Sequence, residues 1–145
     1  MQVIIDADSA PNIKDLEIIF RKYNIKCTLV CDYNHNLVSD YSNVINVSKG
    51  ANAADLYILN HLNEGDMLIT NDLGLSVGAL SKNCLVIDSK GNIINNDNID
   101  FSLEIRHMSS LYRKHNKYLK GPKKRTLQDK MNLLNKVEDI IKEYI

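Results

Sequence analysis

Four aspartates stand where an apolar run ends or a helix begins, and their chemistry sets the question of what this chain does. Asp6 and Asp8 flank Ala7 directly after the apolar run VII at 3–5. Asp72 stands just beyond MLIT (67–70), and Asp55 ends GANAAD (50–55), in the first turn of a helical pattern. Carboxylates at the end of a buried strand repel one another and are costly without a partner. Hard oxygen donors drawn from three segments are the supply a Mg²⁺ or Mn²⁺ ion needs, with water and phosphate completing its shell. Such an ion activates water and stabilises the charge of an in-line attack on a phosphodiester. On this reading Asp6, Asp55 and Asp72 hold the metal directly or through water, and Asp8 is a further ligand or positions the attacking water. Thr70 and Asn71 would orient the carboxylates or the scissile phosphate, with Ser9 and Asn52 as supporting positions.

Each acid has a plainer reading. Asp6, Asp8 or Ser9 alone serves as a helix N-cap, and Asp55 suits the positive end of its helix. Capping does not, however, ask for acids after two separate strands as well as a DxD. The DxD also has a second chemical reading. Haloacid-dehalogenase-type phosphatases use that spacing, the first Asp (here Asp6) as nucleophile and the second (Asp8) as general acid. They also need a later lysine and a further acidic pair, whereas the DSKGN segment offers only Asp88, read as a turn residue, and Lys90.

These residues need elements to position them. Short continuous apolar runs at 3–5, Ile25–Cys31, Val44–Val47, Met67–Thr70 and Cys84–Ile87 predict strands, with Ile93-Ile94 as a further edge strand. Helical spacing begins at Pro11, which suits a first turn, and recurs over Ala53–Leu62 and from Asn71-Asp72 to about Ser81. Asn98 to about Tyr112 reads as helical. A closing helix from about Thr126 to Tyr144 carries Met131, Leu134, Val137, Ile141 and Ile145 on one stripe. Thr126 with Asp129 has the form of a capping box. Strands alternating with helices predict a three-layer, Rossmann-like α/β domain over 1–145, with a mainly parallel sheet of about five strands. Its core covers about 1–90, and a basic helical C-terminal extension covers about 97–145. Ligands of such sheets bind outside the carboxyl ends of the strands, where the acids fall.

At 145 residues, 44% apolar and 25% charged, the chain has the composition of an ordinary soluble domain. No apolar stretch approaches a membrane span and the N-terminus lacks signal-peptide order, so the cytoplasm is the expected compartment. Cys27, Cys31 and Cys84 sit in apolar runs without metal-binding spacing and read as buried reduced thiols. Histidines 35, 61, 107 and 115 form no motif, and Tyr57 with His61 reads as a packing pair. The net charge of zero hides a split: residues 1–105 carry 7 Lys and Arg against 14 Asp and Glu, and residues 106–145 carry 11 against 4. That asymmetry suits a polyanionic partner or an internal electrostatic clasp.

The ordered blocks around these aspartates resemble the YaiI/YqxD family of bacterial proteins, over nearly the whole chain. The family's VDADACP is similar to IDADSAP at 5–11, which keeps Asp6, Ala7, Asp8 and Pro11 and changes Ser9 and Ala10. Its glycine followed by DAAD appears as GANAAD, keeping Gly50, Ala53, Ala54 and Asp55 but placing Asn52 where the family has an aspartate. Its GDLVVTQD appears as GDMLITND, keeping Gly65, Asp66, Thr70 and Asp72. Downstream, Asn98, Ile99, Leu103 and Arg106 match, TGGP is reduced to LKGP at 119–122, and Asp129 falls where a later aspartate is expected. The family is grouped with PIN-like nuclease domains. The resemblance therefore implies a PIN-like sheet, an acidic metal site and ribonuclease-type chemistry by analogy of fold. Asn52 keeps an oxygen ligand but loses a charge.

The segment KHNKYLKGPKKR (114–125) supplies cations for such a substrate. Lys120, Lys123, Lys124 and Arg125 suit the phosphate backbone, with Tyr118 for stacking, unless the loop is simply solvated. Arg106 and Arg113, about two turns apart, would clamp a phosphate or pair with the acidic body. The expectation is a Mg²⁺- or Mn²⁺-dependent nuclease acting on RNA. Its alternatives are a non-catalytic RNA- or protein-binding module and the Asp6/Asp8 phosphatase.

Overall fold

The computed structural model describes residues 1–32, 37–48, 50, 52–100, 107–108, 110–111 and 124–145. Its middle layer is a six-stranded sheet built from β1 (Gln2–Asp6), β2 (Lys26–Asp32), β3 (Asn43–Val47), β4 (Met67–Ile69), β5 (Leu85–Ile87) and β6 (Ile93–Ile94). The order across the sheet is β3-β2-β1-β4-β5-β6. The first five strands are parallel, and the two-residue β6 closes one edge antiparallel to β5. Among the described residues, four longer helices cover it: α1 (Ile13–Lys22), α2 (Ala53–His61), α3 (Leu73–Ser81) and α4 (Leu127–Tyr144). This is a three-layer, Rossmann-like α/β fold.

Alternation along the strands divides the core. Val3, Ile5, Cys27, Leu29, Met67 and Ile69 point to one face and pack with Leu16 and Phe20 of α1 and Leu133, Val137 and Ile141 of α4. Ile4, Val30, Leu68 and Val86 point to the other, against Ile58 of α2 and Leu75 and Ala79 of α3. Strands buried on both faces have no polar side to alternate with, which is why they read as continuous apolar runs. The three cysteines are buried and free, and burial pushes the Cys27 thiol up to about 12. Tyr57 and His61 stack with ring centroids 3.9 Å apart. No described helix is long and apolar enough to cross a membrane.

Two local expectations need correction. Pro11 is not in the first turn of α1: Asn12 is the N-cap, in the left-handed region at φ 60°, and no side chain caps the helix. Asn tolerates that conformation, and the turn it makes redirects the chain after the DxD before the helix begins. On α4 the buried stripe is Leu133, Val137 and Ile141, while Met131 is 44% and Ile145 72% exposed. A four-residue ridge meets the sheet, so positions at mixed spacing drift off its face. Ile93-Ile94 pairs as the expected edge strand, giving six strands in all. The Thr126/Asp129 capping box forms in both directions. The helix expected from Asn98 to about Tyr112 falls mostly outside the described residues.

Candidate functional site

The winding of the sheet reverses between β1 and β4: β2 and β3 extend from one side of β1, and β4 to β6 from the other. Connections leaving the carboxyl ends of two such strands part in opposite directions and leave a crevice. Ile5 pairs with Ile69 in the β1–β4 register, so the next residues, Asp6 and Thr70, stand side by side at its floor. Asp6 is 8% and Thr70 2% exposed.

A hydrogen-bonded chain holds this floor together. The Thr70 hydroxyl donates to Asp6 Oδ2 at 2.8 Å and accepts the Asp72 N–H at 3.0 Å. The Ser9 hydroxyl donates to the same Asp6 oxygen at 3.2 Å. Asn71 reaches across, donating from its side chain to the Ser9 carbonyl at 3.3 Å and accepting the Ser89 N–H at 2.9 Å. Asp8 is exposed, and its carboxylate accepts the Asp32 N–H at 3.2 Å. Asp72 caps α3, taking the Leu75 N–H on Oδ1 at 3.0 Å. None of Asp6, Asp8 and Ser9 caps α1, whose N-cap is Asn12.

Asp6 lies within electrostatic reach of each of the other three expected acids. Burial pushes the Asp6 carboxyl above its ordinary range. The Thr70 and Ser9 hydroxyls act against that rise, and the charges of Asp8 and Asp72 add to it. Asp55, in the first turn of α2, is likewise raised by burial and then by Asp72 and Asp6. Asp8, Asp32, Asp55 and Asp72 line a cavity of about 320 Å³ with Ser48 and Asn52, and no described lining residue is basic. Asn52 is exposed and left-handed at φ 67°, capping α2 by backbone alone.

Such a wall of carboxyl oxygens suits a hard divalent cation by donor type. Among the described residues, no three acidic, histidine or cysteine side chains are already gathered into an ion cage. Mg²⁺ does not require one: it commonly keeps several waters and takes one or two carboxylates.

Asp32 is the acid that sequence reasoning missed. It reads as the first residue of a polar loop, but it is the last residue of β2. The signal was the same one that singled out Asp6, a carboxylate closing an apolar run. The Arg125 guanidinium, expected to suit a phosphate, donates twice to the Ser89 carbonyl, at 3.2 and 3.1 Å. Lys124 is exposed. Arg106, Arg113, Lys120 and Lys123 lie outside the described residues. Asp88 closes its turn as expected, accepting the Lys90 and Asn92 N–H groups at 2.9 Å.

A family model described as "Uncharacterized BCR, YaiI/YqxD family" matches residues 4–143. Among curated relatives, a UPF0178 protein of Alkaliphilus oremlandii is 41% identical over 131 residues, covering 89% of this chain and 83% of its own. A UPF0178 protein of Clostridium novyi is 36% identical over 141 residues, covering 97% and 95%. One from Clostridium acetobutylicum is 37% identical over 131 residues, covering 89% and 88%. No solved structure gives a significant match. The blocks that carry Asp6, Asp55 and Asp72 thus lie within a match spanning almost every residue, and the chain belongs to the YaiI/YqxD family.

Proposed function

We propose that this protein hydrolyses phosphodiester bonds in RNA with the help of a divalent cation, Mg²⁺ or Mn²⁺, at the crevice between β1 and β4. One observation carries the reading: carboxylates from three segments converge at the strand ends where α/β sheets bind ligands, Asp6 meeting the charges of Asp8 and Asp72, and Asp55 those of Asp72 and Asp6. Mutual repulsion of that kind disfavours the empty crevice and favours a cation. Asp6, Asp55 and Asp72 would hold the ion directly or through water. When bound, it supplies Lewis acidity and positive charge against the phosphate. Asp8, exposed beside the crevice, is disposed to orient an incoming water, and Thr70 fixes the Asp6 carboxylate from below. The basic segment 114–125 would bear on the phosphate backbone through its lysines.

The test is cleavage of a labelled single-stranded RNA with and without Mn²⁺. Wild type should cut in a metal-dependent way and Asp6→Asn should not; equal rates for the two sink the assignment. A non-catalytic RNA- or protein-binding module is the second reading. It is favoured by the lack of a ready ion cage among the described residues and by an Asp72 oxygen already engaged in capping. Calorimetry separates them, because a vestigial site gives no Mn²⁺ binding that depends on Asp6 and Asp72.

A further inference from the structure

Arg125 closes the basic segment, yet its guanidinium is turned into the fold. Its Nε and Nη2 both grip the carbonyl of Ser89, in the turn between β5 and β6. The N–H of the same residue donates to Asn71 Oδ1 at 2.9 Å, and Asn71 Nδ2 donates onward to the Ser9 carbonyl at 3.3 Å. The Asn71 backbone N–H meets the Ser9 hydroxyl at 3.4 Å, and that hydroxyl donates to Asp6 Oδ2 at 3.2 Å. A continuous line of polar contacts therefore runs from the residue before the α4 cap to the carboxylate at the floor of the crevice. The turn is also pressed flush on α4 itself: Gly91 has φ +84°, and a Cβ there would stand 2.6 Å from the Asn132 backbone.

We infer that Asn71 is a positioning residue for Asp6, acting through Ser9, and that Arg125 is the strut that steadies it through the β5–β6 turn. The inference rests on the metal reading only for its second readout. The side-chain chemistry is specific. An amide carries a donor and an acceptor on one rigid plane, and here the donor serves Ser9 while the acceptor serves Ser89. Alanine would serve neither, and a carboxylate would set an acceptor against the Ser9 carbonyl. Two N–H groups on one carbonyl need the guanidinium fork, which a lysine of equal charge cannot reproduce. A phosphate contact at this position, by contrast, would ask only for charge. The C-terminal section thereby becomes part of what sets the acidic crevice, in addition to any substrate it draws.

Two measurements test this on the full chain: the carbon NMR signal of the Asp6 carboxyl at fixed neutral pH without metal, and Mn²⁺ binding by calorimetry. Asn71→Ala and Arg125→Ala should each move the Asp6 signal in the same direction and weaken Mn²⁺ by about tenfold, the usual loss when a ligand's supporting partner is removed. Arg125→Lys should behave as Arg125→Ala. The double variant Asn71→Ala/Arg125→Ala should lose less than the sum of the two, because both cut one line of contacts. Lys142→Ala, an exposed cation at the far end of α4, should change neither readout. An unmoved Asp6 signal in both single alanine variants, or Arg125→Lys indistinguishable from wild type, overturns the inference. A wild type that binds no Mn²⁺ overturns the metal reading instead, and the carboxyl signal still decides the role of Asn71.

Discussion

One hydroxyl joins two carboxylate residues: Thr70 Oγ1 donates to Asp6 Oδ2 at 2.8 Å while accepting the Asp72 N–H at 3.0 Å. The end of β1 and the cap of α3 are thus fixed to each other by a side chain with 2% exposure. Thr70→Val keeps the shape but takes the acceptor from the Asp72 N–H and leaves Asp6 Oδ2 with the Ser9 hydroxyl alone, at a cost of about 1–3 kcal/mol. Thr70→Ser should recover most of that loss. Urea unfolding of the two variants reads the difference, and equal midpoints would show that the shared hydroxyl contributes nothing.

The raised carboxyls of Asp6 and Asp55 fix the sign of a pH effect. Each has a folded-state pKa above the ordinary 3.8, with burial as the main cause. Between the unfolded value and the raised one, the native state holds more protons, so stability falls as pH rises through that window. Above it the charged pair weighs against folding. Asp6→Asn keeps an oxygen for the Thr70 and Ser9 hydroxyls but carries no charge. It should melt higher than wild type at neutral pH, and the gap should close as pH drops below 3.8. A Tm difference that ignores pH would count against the raised Asp6 carboxyl.

Much of this fold is legible in the sequence. Continuous apolar runs such as Ile25–Cys31 announced strands buried on both faces, and their polar ends placed Asp6 and Asp72 beside the carboxyl ends of β1 and β4. What remained hidden depends on contacts between distant parts of the chain. The contact of Arg125 with the Ser89 carbonyl, 36 residues away, is one that its charge gives no means of foreseeing. Asn12 turns the chain by a left-handed conformation that hydrophobic spacing does not record. Asp32 went unnoticed because strand ends are blurred by a residue or two, and its neighbours on the far side are polar. The α4 stripe slipped because periodicity fixes a helix's apolar side more loosely than packing does: Leu133 is buried and Met131 is not.

The docking of α4 has one backbone requirement. At Gly91 an added Cβ would lie 2.6 to 2.7 Å from backbone atoms of Asn132 and Leu133, at a φ of +84° that L residues rarely adopt. Neither neighbour is the free end of a side chain that can swing away. Gly91→Ala should therefore cost about 2–5 kcal/mol, combining the left-handed penalty with overpacking. Thermal unfolding checks it, with Gly65→Ala as comparison. Gly65 shares a positive φ of 86° but has open space, so its loss should be about 1–2 kcal/mol. Similar losses at the two positions would mean that α4 yields to the added methyl.

Asp72 has two candidate duties, and one substitution separates them. As N-cap it accepts the Leu75 N–H at 3.0 Å; as an acid it faces the cavity with Asp8, Asp32 and Asp55. Asparagine caps helices about as well as aspartate, so Asp72→Asn should leave metal-free stability within about 0.5 kcal/mol of wild type. In Mn²⁺ at about 100 times the dissociation constant, wild type should gain about 2.7 kcal/mol. The variant should gain much less, and chelation should return wild type to its metal-free Tm. If Asp72 is only a cap, the two proteins will respond to Mn²⁺ alike. The cation would then have to be held by Asp6 and Asp55 without help from the β4 end of the crevice.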